Sequence, residues 1–170
     1  VIEECLESDD LSVKRRAVEA IETLQDPRAL DLLARALESE EDGVRRAATG
    51  TFGLMVGSKY HSLSDMLLEQ LEDPDSHLFR AIVESEDVSL RREVAQSLGF
   101  ARTDRVLPLL QKLTNDEDIQ TRQEAVLALA ANTSEKTDAL LRQKLTDSDD
   151  MVAATVLDAL AAQYGRDSSK

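Results

Sequence analysis

A chain of 170 residues with 42% apolar residues suits one domain or one short repeat array, and is too apolar to stay unfolded. Aromatics are 3%, tryptophan is absent, and six glycines and three prolines are too few for the turns of an all-β fold, so an all-α protein with an aliphatic core is expected. A formal net charge of −14 argues against nucleic acid and anionic membrane surfaces as main partners and favours another protein that carries a basic patch.

The first periodic segments are a short helix from Ile2 to Leu6 and then Asp10-Leu-Ser-Val-Lys-Arg-Arg-Ala-Val-Glu-Ala-Ile21. In the latter, Val13, Ala17, Ala20, Ile21 and Leu24 recur at i, i+4, i+7, i+8 and i+11, which is one face of a helix. Pro27-Arg-Ala-Leu-Asp-Leu-Leu-Ala-Arg-Ala-Leu37 follows, with Asp26 as N-cap and Pro27 in the first turn, where its missing N–H costs nothing. Glu41-Asp-Gly-Val-Arg-Arg-Ala-Ala-Thr-Gly-Thr-Phe52 repeats the Asp10 segment, and Gly50, Gly53 and Gly57 should loosen its end. An added helix is expected at about 60–72, ending at Asp73-Pro74, and Ser76 to Val83 is the next first helix. Asp87-Val-Ser-Leu-Arg-Arg-Glu-Val-Ala-Gln-Ser-Leu98 is the third copy. Asp104 to Leu113 and Glu135 to Leu145 precede the fourth and fifth copies, which begin at Asp118 and Asp149. Periodicity fades after Gly165, so the tail, 164–170, is expected to fray.

Aligned, these copies place Val13, Val44, Leu90, Thr121 and Val152 in one column, spaced 31, 46, 31 and 31 residues apart. Equal intervals with one longer by 15 identify a tandem repeat carrying one insertion. An acidic residue stands three positions before the column in every copy (Asp10, Glu41, Asp87, Asp118, Asp149), where a carboxylate can cap a helix and oppose its dipole. Each unit is a helix, a tight acidic turn and a second helix. The units span about 1–24, 26–56, 76–100, 103–131 and 134–163 of a single domain, 1–163. A lone hairpin cannot bury its apolar face, so the units must stack.

The residues Asp-Pro-Arg-Ala-Leu at 26–30 and Glu-Asp-Gly-Val-Arg-Arg-Ala-Ala at 41–48, with their later copies, resemble HEAT repeats, especially the short HEAT-like class of phycobilisome lyase subunits. The resemblance implies an α-solenoid of about five HEAT-like helical hairpins with one inserted helix. It also implies a non-catalytic scaffold or adaptor that binds a protein on the concave face lined by the second helices. A minority of such arrays act on chromophores or damaged DNA. A chromophore (bilin) lyase or chaperone subunit would need a cavity lined by aromatics with a base for tetrapyrrole carboxylates. A glycosylase would need a basic groove, which the charge opposes. The fifth unit departs from the pattern, with Ala153 where the others carry Lys14, Arg45, Arg91 and Arg122.

That basic column has two readings. A row of forked cations can grip a partner's carboxylates, or each can bind the acidic turn of an adjacent unit, as the family's equivalent arginine does. The next row, Arg15, Arg46 and Arg92, has no evident structural duty and is the candidate partner-binding row. The irregular region adds Tyr60, His61, His77 and Phe79 as further candidates. His61 and Asp65 share i, i+4 spacing, but no third ligand completes a metal site, and nothing marks a cofactor, a phosphate loop or a catalytic pair. Cys5 is the only cysteine, on an apolar helical face, and is read as a core residue. No membrane-length apolar run or basic-then-apolar leader is present, so a cytoplasmic protein is expected. Val1 in place of Met leaves open a fragment of a longer array. Arginine outnumbers lysine 14 to 6, and adaptation to a salty cytoplasm would explain the acidity as well as partner attraction does.

Overall fold

The computed structural model describes residues 1–24, 26–57, 63–132 and 134–167, the side chains of 164–167 excepted. Its helices are α1 (Ile2–Leu6), α2 (Leu11–Ile21), α3 (Arg28–Leu37), α4 (Asp42–Gly57), α5 (Ser64–Glu72) and α6 (His77–Val83). They continue as α7 (Val88–Leu98), α8 (Leu107–Leu113), α9 (Ile119–Ala131), α10 (Glu135–Gln143) and α11 (Asp150–Asp167). The described residues contain no strand.

The pairs α1/α2, α3/α4, α6/α7, α8/α9 and α10/α11 are five hairpins, and α5 is the inserted helix. The second helices form one continuous layer in which α2, α4, α7, α9 and α11 each pack on the next. On the other side α3 packs on α6, whereas α5 sits against α4, α6 and α8. The insertion therefore widens the first-helix layer and leaves the second-helix layer in register. Arg105, at the start of the fourth unit, pins α5 there through Glu72 (2.9 Å) and Asp65 (3.4 Å).

The core is one cluster of Leu, Ile, Val and Ala running the length of the stack, with Phe52, Phe79 and Met55 fully enclosed. Column residues Val44, Leu90, Thr121 and Val152 are buried because a preceding unit covers them. Val13, against which this structure holds no preceding unit, is exposed. Fully burying one such aliphatic side chain contributes about 1.5–3 kcal/mol, so inter-unit apolar packing is the main cohesive force.

Three local expectations change. The glycines do not loosen α4, which runs unbroken through Gly57. A Cβ on Gly53 would lie 2.9 Å from Ser97 Oγ, and one on Gly57 would lie 3.7 Å from Phe100 Cβ. At Gly53 the absent side chain lets α4 approach α7 closely, which offsets the helix-propensity cost there, whereas the distance at Gly57 is ordinary contact. α11 continues past Gly165 to Asp167, since one glycine costs a helix about 1 kcal/mol and does not end it. The inserted helix begins at Ser64, and the earlier part of the expected span, with Tyr60 and His61, lies outside the described residues.

Candidate functional site

The five acidic turns share one construction. Two positions before the acidic column stands a short polar side chain that accepts a hydrogen bond from the column residue's own amide. The donors and acceptors are Asp10 to Ser8 Oγ (3.1 Å), Glu41 to Ser39 Oγ (3.3 Å), Asp87 to Ser85 Oγ (3.2 Å), Asp118 to Asp116 Oδ1 (2.9 Å) and Asp149 to Asp147 Oδ1 (3.0 Å). Such local bonds are what make Ser and Asp turn formers. The column residue then caps its helix: Asp10 accepts from Ser12 N, Asp87 from Ser89 N, Asp118 from Thr121 N and Asp149 from Met151 N. Glu41 is the exception. Its longer side chain reaches Lys14 Nζ instead, at 2.6 Å.

Onto this frame fold the bases one turn into each second helix. Arg45 Nη1 donates to the carbonyls of Ser39 and Glu40 in its own turn, and its Nε reaches Asp87 of the next unit at 2.9 Å. Arg91 donates to Ser85 O and makes a two-pronged bond to Asp116, from Nε at 2.7 Å and Nη2 at 3.0 Å. Arg122 donates to the carbonyls of Asp116 and Glu117 and reaches Asp147 at 3.1 Å. The column thus binds the adjacent turn and is not free for a partner. At the fifth unit, where the structure holds no following turn, the column residue is Ala153.

The rungs differ in depth. Arg91 and Asp116 side chains are 5% and 8% exposed, whereas Glu41 opposite Lys14 is 44% exposed. The bond to Asp116 raises the Arg91 pKa above its ordinary value. For Asp87, burial pushes the pKa up, but the Arg45 bond and the amides of Leu90 and Ser89 outweigh it and the net value is lowered.

The second basic row is not one site. Arg15 is exposed with no bonded partner among the described residues, Arg46 pairs with Asp42 on its own helix at 2.5 Å, and Arg92 reaches Asp118 of the next unit at 3.3 Å. His77 lies in the other layer, on α6. Its Nδ1 is 2.9 Å from Asp31 on α3 and its Nε2 3.0 Å from Glu38 at the C-cap of that helix. Two carboxylates can be satisfied by one ring only if both nitrogens carry protons, and these bonds raise the His77 pKa. Phe79 is a correction: at 1% exposure it is a core side chain and offers no surface to a partner.

A cleft of about 630 Å³ opens on the turn edge between the second and third units, lined by Leu37, Glu38, Arg45, Arg80, Glu84 and Asp87 among others. It is polar, open and without an aromatic in its lining, so it gives a tetrapyrrole nothing to stack on. The sequence held an unused signal for these turns, since Ser8, Ser39, Ser85, Asp116 and Asp147 recur at the repeat spacing.

Stacked helical hairpins bonded turn to turn by arginine define an α-solenoid. A family model described as HEAT repeats matches residues 1–85 and again 76–161, and the chain belongs to that family. No curated protein matches it. Among solved structures it is similar to an engineered protein, with TM-score 0.52 and 18% identity over 94% of this chain and 76% of that one. It is also similar to a designed armadillo repeat protein in complex with the peptide (KR)4, with TM-score 0.49 and 14% identity over 95% and 80% of the two chains. A third is human deoxyhypusine hydroxylase in complex with glycerol, with TM-score 0.44 and 16% identity over 94% and 82%. At such identities the likeness is one of fold alone.

Proposed function

We propose that the chain is a non-catalytic scaffold that binds another protein on the outward face of its second helices. The supporting observation is where large apolar side chains meet solvent. Among the described residues, Val1 and Met66 apart, the exposed ones all lie on the second helices or directly behind one: Leu11, Val13, Leu54, Phe100, Ile119, Leu127, Met151 and Leu157. Two of these need discounting. Val13 and Leu157 occupy positions that interior units bury against a neighbour, and the structure holds no neighbouring unit on their sides. The remaining six are on one layer, while α3, α6, α8 and α10 expose none. Apolar groups gathered on one face mark an interaction surface, and scattered ones do not. Arg15, Arg46 and Arg92 lie on the same layer and belong to the proposed surface, whereas His77 lies on the first-helix layer and acts in structure.

A photo-crosslinking residue at the exposed Gln96 on α7, compared with one at the exposed Gln111 on α8, tests this in cell extract. A discrete crosslinked partner is expected from Gln96 alone, and its loss is expected when Leu54 and Phe100 are changed to Asp. Equal crosslinking from both sites, or none from Gln96, would refute the assignment of the face.

A further inference from the structure

The second-helix face is divided by charge along its length, and that division specifies its partner. On α2, Arg15 and Arg16 are exposed without a bonded carboxylate among the described residues. From the third unit onward the balance inverts. Every described base on α7, α9 and α11 is consumed inside the array, Arg91 by Asp116, Arg92 by Asp118 and Arg122 by Asp147. The carboxylates beside them are not consumed: Glu93 and Asp158 are exposed, Glu124 is half-buried, and none forms an ion pair among the described residues. Among these carboxylates stand the exposed apolar side chains Phe100 (67%), just behind α7, Leu127 (49%) on α9 and Met151 (65%) on α11, while Ile119 of α9 lies apart at the start of its helix.

Resting on the assignment of this face as the partner surface, we propose that α7, α9 and α11 together dock a cationic amphipathic α-helix, one whose Leu-type side chains meet Phe100, Leu127 and Met151 and whose Lys or Arg residues meet Glu93, Glu124 and Asp158. The helical form follows from spacing. Adjacent packed helices lie about 8–10 Å apart, and the three apolar residues step back along successive helices, so they sit roughly 10–14 Å from one another. At 1.5 Å per residue that is about seven to nine residues of helix, which returns a side chain to the same face. An extended segment covers the same distance in about three or four residues, and an odd step would turn every second contact away. The sign of the charge follows from which groups are left unpaired. An acidic segment would meet three carboxylates with no free base beside them, and like charges at an interface disfavour the wrong partner.

The probe is a fluorescein-labelled 18-residue helical peptide with Leu on one face and Lys flanking it. Its companions are a scrambled peptide of the same composition and a version with Glu in place of Lys. Anisotropy titrations at about 0.1 M salt are expected to show saturable binding of the Lys helix, at least tenfold weaker binding of the scrambled peptide, and none of the Glu helix. Phe100→Ser with Leu127→Ser should weaken the Lys helix by at least tenfold, and Glu93→Gln with Glu124→Gln several-fold. Met66→Ser on α5 should change nothing, and every variant is expected to keep the helicity of the parent, checked by circular dichroism. Equal binding of the scrambled peptide would mean bulk attraction by a chain of net charge −14, and would overturn the proposal. Insensitivity to the paired variants, or preference for the Glu helix, would overturn it too. A Gln96 crosslink without binding of the Lys helix refutes this partner class and leaves the face intact. Loss of the Gln96 crosslink refutes the face itself.

Discussion

Arg91 and Arg15 are the same residue type one position apart in the repeat, and their structural weights differ widely. Arg91 is enclosed, closes its own turn through Ser85 O and holds Asp116 with two bonds. Its removal leaves a carboxylate that is 8% exposed with its charge unmatched, a change that typically costs 3–5 kcal/mol. Arg91→Ala is accordingly expected to lower stability by roughly 3 kcal/mol and Arg15→Ala by less than about 0.5 kcal/mol, compared by urea unfolding followed by circular dichroism. Near-equal effects would mean that the rung is not a structural bond. His77 makes a second prediction with a definite sign. Its pKa is raised by the bonds to Asp31 and Glu38. The stability it contributes is therefore complete below its unfolded value, near 6.5, and is lost as pH rises through the higher folded value. The ring is more than a third exposed, so the clamp is worth less than about 1 kcal/mol. The melting temperature of the parent should fall relative to His77→Gln as pH goes from 6 to 9, and parallel curves would refute the clamp. Neither assignment was fully legible in the sequence. The column of bases was visible and so was its possible bond to a neighbouring turn, because the period brings equivalent residues together. His77 was visible only as an oddity, since its partners are 46 and 39 residues away across the insertion.

At the scale of elements, α4 carries the clearest contest between local propensity and packing. Gly50, Gly53 and Gly57 all lie within one helix, yet their surroundings differ. A Cβ at Gly50 meets nothing within 4 Å, whereas at Gly53 it would be 2.9 Å from Ser97 Oγ. Ala in place of an exposed helical glycine gains about 0.8–1.0 kcal/mol. Gly50→Ala should therefore raise stability by close to that amount. Gly53→Ala should gain little or lose, because Ser97 must give up its bond to Glu93 O to make room. In a Ser97→Ala background the nearest remaining atom is at ordinary contact distance, and the gain at Gly53 should reappear. Melting curves of the four variants decide it, and equal gains at Gly50 and Gly53 in the parent would refute the close approach. Sequence alone read all three glycines as helix looseners, since nothing local distinguishes a glycine facing water from one facing α7. The hairpins themselves were legible, and so were the caps at Asp10, Asp87, Asp118 and Asp149, because 31-residue spacing multiplies each weak signal, whereas Glu41 spends its side chain on Lys14 instead of capping. Exposed apolar residues on the second helices were not, for a Leu at a polar position is an ordinary occurrence in a single helix and acquires meaning only once the layer is assembled.

For the whole molecule the decisive quantity is where the negative charge is stacked. The arginine rungs hold successive turns together, and at the centre of four of these turns stand Asp9, Glu40, Glu86 and Glu117, all exposed. Neighbouring units are about 8–10 Å apart, comparable to the Debye length of about 10 Å at 0.1 M salt and well beyond the 3 Å at 1 M. Repulsion along this edge is thus felt at low salt and removed at high salt. The buried rung from Arg91 to Asp116 is excluded from that screening by its burial. The melting temperature is therefore expected to rise between 0.02 and about 1 M sodium chloride, against the fall that exposed ion pairs alone would give. The triple variant Asp9→Asn, Glu40→Gln, Glu86→Gln removes three charges from the edge without touching a rung. It should melt higher than the parent at low salt and converge with it at high salt. A parent whose melting temperature falls with salt would show that surface pairs such as Arg35 with Glu7 outweigh the edge repulsion. If the variant instead gains equally at every salt concentration, the excess charge is not acting through space along the edge, and the cost of these residues lies in their local turns.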